Sequence, residues 1–375
     1  MAGYLITFKD EASCKKAMKE GRYSPLMSPK WSSATESTLG DFVTMKPGDK
    51  VYFFTKRKIY GIGRILDWGD GITCVREVFP EATNGKYLDV MSHPNLVVDR
   101  SNKDNPRIQR WEISFYPCPR YFSKCVDMDE MLESNPSAFR SLRVFWKRSF
   151  IKLDDEEQLA FDAALLHANR DEASNVLPRI EDATIVNSEF DGPNITGLVR
   201  QRRNSNRELR SEMTLEVGLL HQLTIEDPET IEVFGRWDFL SHQVPASPFK
   251  PVDYMDKMDV FGYRWIKGYK PIIDSYLVAE LKKDTLKYEN VLQVMRYVEW
   301  ISTEYASGDY SLITAYLVSS KIPDSVIGNS AAAVKREYVR GRPLESRVWN
   351  NLTFVEYSAD ESGHISFKKK ALPGC

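Results

Sequence analysis

The sequence predicts an α/β (α+β) protein that is divided into two domains. Its 375 residues exceed the usual length of about 100–200 residues for a single domain. Apolar segments of strand length alternate with amphipathic segments of helical length. A polar segment interrupts this alternation at residues 169–205. We therefore predict a β-rich N-terminal domain over 1–168, a linker over 169–205 and a C-terminal domain over 206–375.

The N-terminal segment predicts a mixed domain in which strands outnumber helices. Residues 3–8 (GYLITF) predict a strand, and residues 11–21 (EASCKKAMKEG) predict a short helix that ends at its glycine. Two strands joined by a basic turn predict a hairpin over 45–68 (MKPGDKVYFFTKRKIYGIGRILDW). Residues 111–117 (WEISFYP) predict a further strand.

A helix with an acidic start is predicted over residues 153–169 (LDDEEQLAFDAALLHAN). Leu159, Ala163 and Leu166 recur at helical spacing in this segment. Such spacing indicates an apolar stripe that packs against the rest of the domain.

The C-terminal segment predicts a mixed sheet with helices against it. Strands that are apolar on both faces, separated by a helix, are typical of a sheet covered by helices. In chain order the segments are a helix at 213–224, strands at 256–266 and 274–284, a helix at 288–306, and strands at 311–320, 351–358 and 364–370.

Composition excludes several classes of protein. The formal net charge of −2 provides no overall attraction to nucleic acid, so any such binding depends on local patches. The five cysteines form no CxxC pair and are odd in number, which argues against a zinc knuckle or a disulfide framework. The first residues lack the apolar region of a signal peptide, and no apolar run reaches about 18 residues. We expect a soluble protein of the cytoplasm without a membrane partner.

The segment 274–284 (DSYLVAELKKD) places charged residues in an otherwise apolar strand. Because side chains alternate along a strand, Glu280 and Lys282 share one face. Burying charge is costly unless the charge is paired or binds a metal. The pair is therefore either a salt bridge on an edge strand or part of a functional site.

Three carboxylates would converge if the two neighbouring strands pair antiparallel. Asp259 would lie across the ladder from Glu280, and Glu216 would come from the polar side of the preceding helix, with Glu212 as the alternative. Carboxylate oxygens are the ligands that Mg²⁺ prefers, so we predict a site for Mg²⁺ (or Mn²⁺) formed by Glu216, Asp259 and Glu280. Lys282 would orient or deprotonate an attacking water.

The order of these residues resembles the PD-(D/E)XK nuclease superfamily over most of residues 211–320. That family has a helix glutamate, a strand aspartate, an E-x-K strand and, in the RecB-like branch, a following Q-x-x-x-Y helix. The details are similar to NucS-like and Shedu-type members, although the segment 237–255 is a long insert before the aspartate. The resemblance implies a restriction-endonuclease-like fold whose catalytic residues are Asp259, Glu280, Lys282, Gln293 and Tyr297.

Two basic segments are candidate nucleic-acid contacts. The end of the linker carries Arg202 and Arg203 within the arginine-rich run at 200–210, and the hairpin turn carries Lys56, Arg57 and Lys58. Each segment is either a phosphate-contacting surface or an ordinary solvated one.

The hairpin at 45–65 and the later segment FWKRSFIKL (145–153) loosely resemble the EVE and PUA-like folds. Those folds imply an aromatic pocket for a flipped base. Trp31, Trp68, Trp111 and Trp146 are candidate walls of such a pocket, and a core position is the alternative for each.

The combined expectation is a Mg²⁺-dependent DNA endonuclease with an N-terminal DNA-sensing domain. The family resemblance places it in defence against phage or plasmid DNA. A NucS-like repair nuclease and a non-catalytic nucleic-acid-binding protein with a degenerate nuclease fold are the alternatives. Because cutting both strands with one site per chain favours symmetry, we expect a homo-oligomer, either a dimer or a tetramer.

Overall fold

The computed structural model has an α/β fold in which helices flank mixed sheets, as the sequence predicts. It describes residues 2–23, 33–65, 75–80, 87–89, 110–117, 124–142, 150–172, 195–246 and 255–370. The chain divides into two compact units, residues 1–194 and 195–375. This boundary lies inside the segment predicted as a linker. No helix in the described ranges is long and apolar enough to cross a membrane.

The first unit is built on a mixed sheet. Its strand order is β6-β5-β7-β4-β3-β1-β9, with β2 on β7 and β8 on β4. The pair β1–β3 is parallel. The elements are β1 (Gly3–Thr7), α1 (Glu11–Glu20), β2 (Arg22–Tyr23), α2 (Ser33–Val43), β3 (Lys50–Thr55), β4 (Lys58–Ile65), β5 (Val75–Pro80), β6 (Tyr87–Asp89), β7 (Arg110–Pro117), β8 (Val126–Asp127), α3 (Met128–Ser134), β9 (Phe150–Leu153) and α4 (Asp155–Ala168).

Local chemistry explains where the helices of this unit begin and end. Gly21 ends α1 in the left-handed region at φ 65°, which glycine adopts without a Cβ penalty. Asp154 begins α4 by accepting the backbone N–H of Glu157, whose own side chain reaches back to the N-cap. Both helix positions agree with the sequence prediction.

The predicted apolar stripe of α4 is wrong. Leu159 is 61% exposed and Leu166 is 44% exposed. The helix instead buries the face that carries Phe161 and Leu165, which are completely covered. The large ring of Phe161 packs against Tyr52 and Phe139, with centroids 4.9 and 5.5 Å away, and this contact sets the rotation of the helix.

The second unit contains a six-stranded sheet of order β10-β11-β12-β13-β16-β17. Its elements are α5 (Ile195–Arg202), α6 (Glu212–Thr224), α7 (Pro228–Phe234), β10 (Phe239–Pro245), β11 (Lys257–Trp265), β12 (Ile273–Thr285), α8 (Tyr288–Glu304), β13 (Ile313–Lys321), α9 (Asp324–Val334), β14 (Arg336–Arg340), β15 (Glu345–Trp349), β16 (Leu352–Ala359) and β17 (Ile365–Lys369).

The centre of this sheet joins antiparallel and parallel strands. β12 pairs antiparallel with β11 and parallel with β13, and β13 pairs parallel with β16. The crossover from β12 to β13 runs through α8, which buries Val291, Val294 and Val298. The predicted order of helix, strands, helix and strand is present. Sequence patterns did not predict β10, α5 or the β14–β15 hairpin.

Candidate catalytic site

The charged pair of β12 lies in the middle of the sheet. Because β11 and β13 flank β12, the edge-strand salt bridge that the sequence left open is excluded. Glu280 is 0% exposed, and the side chain of Lys282 keeps 20% of its surface accessible. A buried carboxylate in a central strand is costly, so its environment indicates what it does.

Glu280 and Lys282 form a close ion pair. Lys282 Nζ lies 2.6 Å from Glu280 Oε1. Apart from this contact with Lys282, the Glu280 oxygens accept no hydrogen bond of good geometry from the described residues. Buried polar atoms almost always have such partners, and a bound ion or a catalytic role is one explanation of an exception.

Asp259 lies beside this pair, as the predicted antiparallel register requires. The ladder ends at the pair Val260–Ala279, and Asp259 and Glu280 are the residues that come next on the two strands. Asp259 Oδ2 accepts the backbone N–H of Leu281 at 2.8 Å, and Oδ1 accepts from Gln243 Nε2 at 3.2 Å. Both oxygens are therefore held in fixed directions.

The electrostatics of the cluster favour the binding of positive charge. Burial, then the negative charges of Glu280 and Glu216, raise the pKa of Asp259 well above its ordinary value. Burial raises the pKa of Glu280 to about 7, although Lys282 opposes this. Burial lowers the pKa of Lys282, but the attraction of Glu280 and Asp259 outweighs it, so the net shift is upward. Lys282 is an ammonium at neutral pH, which suits it to orient a water rather than to deprotonate it.

Glu216 is not on a polar helix face, contrary to the sequence prediction. It is 2% exposed and directed towards β10. Its Oε1 lies 2.6 Å from His242 Nδ1, and its Oε2 accepts from Gln243 Nε2 at 2.8 Å. The alternative acid, Glu212, is about half exposed and lies 3.8 Å from Lys282 Nζ.

Gln293 and Tyr297 share one face of α8, as their spacing predicts. Gln293 Nε2 donates to the Tyr297 hydroxyl at 2.9 Å. Burial, followed by the negative charge of Glu280, raises the pKa of Tyr297. Tyr297 therefore stays protonated at neutral pH, and its hydroxyl interacts electrostatically with Glu280.

Sequence reasoning missed His242 and Gln243. Both belong to β10, which lies inside the segment 237–255 that was read as an insert. Polar residues in a short strand gave no recognisable pattern. The backbone of Gln243 has φ 51°, a left-handed conformation that no sequence signal announces for glutamine.

The cluster offers a divalent cation few oxygen ligands from the protein. Within the described ranges, no group of three or more His, Cys, Asp or Glu residues is arranged to hold a metal ion. Mg²⁺, however, is usually held by one or two carboxylates together with waters and substrate phosphates. Asp259 and Glu280 fit that smaller set, because both are carboxylates and Glu280 accepts no hydrogen bond of good geometry from the described residues besides its contact with Lys282.

The arginine-rich run at 200–210 borders this site. Leu209 N donates to the Tyr357 hydroxyl at 3.2 Å, and that hydroxyl donates to the Lys283 carbonyl at 2.9 Å, next to Lys282.

The arginines of this run differ in their surroundings. Of the two that the sequence predicts as nucleic-acid contacts, Arg203 is paired with Glu361 at 3.3 Å, and Arg202 is half-buried. Arg207 and Arg210, on either side of Leu209 in the chain, are exposed.

The basic hairpin turn of the first unit lies beside acidic residues. Arg57 forms an ion pair with Asp129 at 2.5 Å, and Lys58 pairs across the ladder with Asp127. These neighbours reduce the positive potential available to a phosphate. Lys56 remains exposed.

The predicted base pocket cannot be located in the structure. Trp31, Trp68 and Trp146 lie outside the described residues. Trp111 belongs to β7, but its side chain is not among those described. The pocket therefore stays a prediction.

Comparison with known proteins assigns no family. No protein family model matches the chain, and no curated protein matches it. Among solved structures, a structural-genomics protein from Pseudomonas putida is 14% identical, with a TM-score of 0.28 and coverage of 44% of this chain and 99% of that one. A hypothetical protein from Leishmania major is also 14% identical, with a TM-score of 0.27 and coverage of 46% and 96%. Likenesses this weak carry no functional argument.

Proposed function

We propose that the protein is a metal-dependent DNA endonuclease that hydrolyses phosphodiester bonds. The observation that carries this proposal is the cluster of Asp259, Glu280 and Lys282 in a central strand pair, in which the buried Glu280 contacts the Lys282 ammonium at 2.6 Å and accepts no other hydrogen bond of good geometry from the described residues. The order of the acids and the lysine along the chain, with Gln293 and Tyr297 after them, resembles the PD-(D/E)XK nucleases and supports the same chemistry.

Each residue of the cluster has a distinct part in the proposed reaction. Asp259 and Glu280 would hold Mg²⁺ or Mn²⁺, which when bound stabilises negative charge on a phosphate oxygen. Lys282, with its charge retained, orients the attacking water and adds positive charge beside the scissile phosphate. Gln293 keeps the Tyr297 hydroxyl in place at 2.9 Å, on the helix that borders the cluster.

The substrate is proposed to approach past the loop that contains Arg207 and Arg210. The Tyr357 hydroxyl holds this loop against β12 through Leu209 and Lys283. Cations fixed beside a catalytic cluster bind the phosphate backbone without selecting a sequence. This arrangement suits a nuclease whose target choice is made elsewhere in the chain.

A plasmid cleavage assay tests the proposal. Purified protein should cut supercoiled, linear or single-stranded DNA in Mg²⁺ or Mn²⁺, while Ca²⁺ should support binding with little cutting because its coordination is looser. Asp259→Asn, which is nearly isosteric, is the matched control for contaminating nucleases. Cleavage that persists in excess EDTA, or that is equal in the Asp259→Asn protein, would show the proposal to be wrong.

A non-catalytic nucleic-acid-binding protein is the second candidate. It is favoured by one observation: the described residues contain no three-residue group that could hold a metal ion. Calorimetry distinguishes the two candidates before any DNA is added. A degenerate site should bind no Mg²⁺, and Asp259→Asn should then leave DNA binding unchanged.

The biological setting that we propose is defence against phage or plasmid DNA, with DNA repair as the alternative. Support for this setting comes from the resemblance to Shedu-type and NucS-like nucleases. Phage plating and plasmid transformation on cells with the wild-type or the Lys282→Ala protein would test defence. Cleavage confined to mismatched or branched duplexes would instead support repair.

A further inference from the structure

Gln243 lies in a row of polar residues that crosses three neighbouring strands. The β10–β11 register is the same on both sides of Gln243, pairing His242 with Val260 and Val244 with Met258. Gln243 is thus the position opposite Asp259, and Asp259 and Glu280 are the residues that adjoin the last pair of the β11–β12 ladder. The structure gives Gln243 φ 51° in this strand, where extended backbone is the rule.

The side-chain amide of Gln243 connects two buried carboxylates. Its Nε2 donates to Glu216 Oε2 at 2.8 Å and to Asp259 Oδ1 at 3.2 Å. An amide group has two N–H donors, so each carboxylate receives one. Because the amide is neutral, it links the two acids without adding a charge to the cluster.

Glu216 is fully engaged by neighbours that are not catalytic candidates. His242 Nδ1 contacts one of its oxygens at 2.6 Å, and Gln243 contacts the other. Each carboxylate oxygen has a second lone pair, so these bonds alone do not decide whether Glu216 binds a metal. In the described ranges, however, no three His, Cys, Asp or Glu residues are arranged to hold one ion, so Glu216 does not join Asp259 and Glu280 as a third ligand. This geometry differs from the metal-ligand role that the sequence suggested for Glu216.

We infer that Gln243 is a positioning residue, and that Glu216 acts on the cluster through Gln243 rather than as a metal ligand. The inference rests on the proposed nuclease function. Gln243 fixes one oxygen of Asp259, while the Leu281 N–H fixes the other at 2.8 Å. The hydrogen bonds to the two carboxylates hold Gln243 in a left-handed backbone conformation that is uncommon for a residue other than glycine.

The glycine substitution separates positioning from folding. Gln243→Gly removes the amide but suits the left-handed backbone, so any fall in its thermal midpoint measures the two lost hydrogen bonds rather than backbone strain. Ser307→Gly is the matched control, because Ser307 is exposed and has φ 50° in the same unit, outside the cluster. Gln243→Asn keeps an amide that tolerates this backbone but is one methylene too short to reach both acids.

Three measurements test the inference: the thermal midpoint, the Mg²⁺ dissociation constant without DNA, and kcat and KM for plasmid cleavage. Loss of a group that orients a metal ligand typically costs about 10–100-fold in metal affinity or activity. Gln243→Gly should weaken Mg²⁺ binding and lower kcat by about that factor, with KM for DNA unchanged. Ser307→Gly should change neither the Mg²⁺ affinity nor kcat. For Gln243→Asn, both values should lie between those of Gln243→Gly and the wild type.

Mg²⁺ affinity and kcat within about twofold of wild type in Gln243→Gly would overturn the positioning role. Glu216→Gln should resemble Gln243→Gly; if it removes Mg²⁺ binding as completely as Asp259→Asn, then Glu216 is a ligand and the inference is wrong. A wild-type protein that binds Mg²⁺ but cuts no DNA would refute the nuclease function alone. The Mg²⁺ affinities of the variants would still decide the role of Gln243.

Discussion

Each unit of the protein buries a lysine beside carboxylates, and the two clusters differ in their hydrogen bonding. In the first unit, Lys152 Nζ donates to the Thr44 side chain at 2.8 Å and to the Thr44 carbonyl at 3.3 Å. The nearby Asp49 accepts the backbone N–H groups of Ala2 and Lys46. In the second unit, Lys282 contacts Glu280, and the Glu280 oxygens accept no other hydrogen bond of good geometry from the described residues.

The pKa shifts of the two lysines have opposite directions. Burial lowers the pKa of Lys152 to about 7, and the attraction of Asp49 only partly compensates. The pKa of Lys282 is raised, because its carboxylate neighbours outweigh the cost of partial burial. The comparison shows that a buried lysine alone does not identify a site. The partly exposed ammonium of Lys282, together with a buried Glu280 that contacts this ammonium and accepts no other hydrogen bond of good geometry from the described residues, is what distinguishes the candidate catalytic cluster.

The largest expected effect separates the clusters by activity. Lys282→Ala, Glu280→Ala and Asp259→Ala should each reduce plasmid cleavage by more than about 10³-fold, because Asp259 and Glu280 would hold the metal ion that stabilises the transition state and Lys282 orients the attacking water. Lys152→Met should leave cleavage unchanged. Initial rates of plasmid cleavage, with circular dichroism as the folding check, measure this effect. Full activity in Lys282→Ala would remove the functional distinction between the two lysines.

The second prediction concerns stability and pH in the first unit. The pKa of Lys152 is about 7 in the folded protein, whereas its ordinary value, which applies to the unfolded chain, is 10.5. Between these two pH values, the side chain is protonated mainly in the unfolded chain. The contribution of Lys152 to stability should therefore increase with pH by up to about 1.4 kcal/mol per pH unit, and decrease as pH falls towards 7.

Hydrogen exchange of the β1 and β9 amides, measured from pH 7.5 to 9.5, tests this dependence. Lys152→Met should flatten it, whereas Lys9→Met, at an exposed position, should not. Equal slopes in all three proteins would show that Lys152 is charged in the folded state. The two clusters would then share the same electrostatic character.

A smaller effect is expected at the loop beside the second cluster. The double substitution Arg207→Ala and Arg210→Ala should weaken binding of duplex DNA to the Asp259→Asn protein by roughly tenfold. It should also reduce the slope of log K against log salt by about 2, since each lost phosphate contact contributes about 0.9. Arg347→Ala, on the exposed β15 strand, is the matched control. Fluorescence anisotropy at several salt concentrations measures both quantities, and an unchanged slope would contradict the prediction.

The smallest expected effect is at Gln293. Gln293→Ala removes only the hydrogen bond to the Tyr297 hydroxyl, and no charge. We expect a loss of kcat of a few-fold, consistent with the roughly 1 kcal/mol of a neutral hydrogen bond. A loss as large as that of Lys282→Ala would place Gln293 in direct contact with the reacting groups.

The sequence predicted the parts of the second unit that periodicity and residue order encode. The alternation in β12 placed Glu280 and Lys282 on one face, and antiparallel pairing placed Asp259 beside them. The burial of Glu216 was not predicted, because a helix covered on most sides has no distinct polar face. Gln243 was missed because its role depends on a left-handed backbone and on hydrogen bonds to Asp259 and Glu216. These two residues lie 16 and 27 positions away in the sequence.

The first unit was less predictable in its packing than in its elements. The α1 helix, the β3–β4 hairpin and the α4 helix follow from capping residues and alternation, which are local signals. The buried face of α4 was assigned wrongly because Phe161 has more surface to bury than Leu159. Ring contacts with distant residues decide that rotation, and no local pattern records them.

The packing of Gly363 sets where a fragment of this protein can begin. Gly363 has φ 89°, and a Cβ at this position would lie 1.9 Å from the carbonyl oxygen of Thr196 in α5. Ile365 packs equally closely against Gly218 of α6: its Cδ1 lies 2.4 Å from the position that a Cβ on Gly218 would occupy. An expression fragment that starts at residue 206 would discard α5 and uncover the final hairpin. A clone of the second unit should therefore start no later than Ile195.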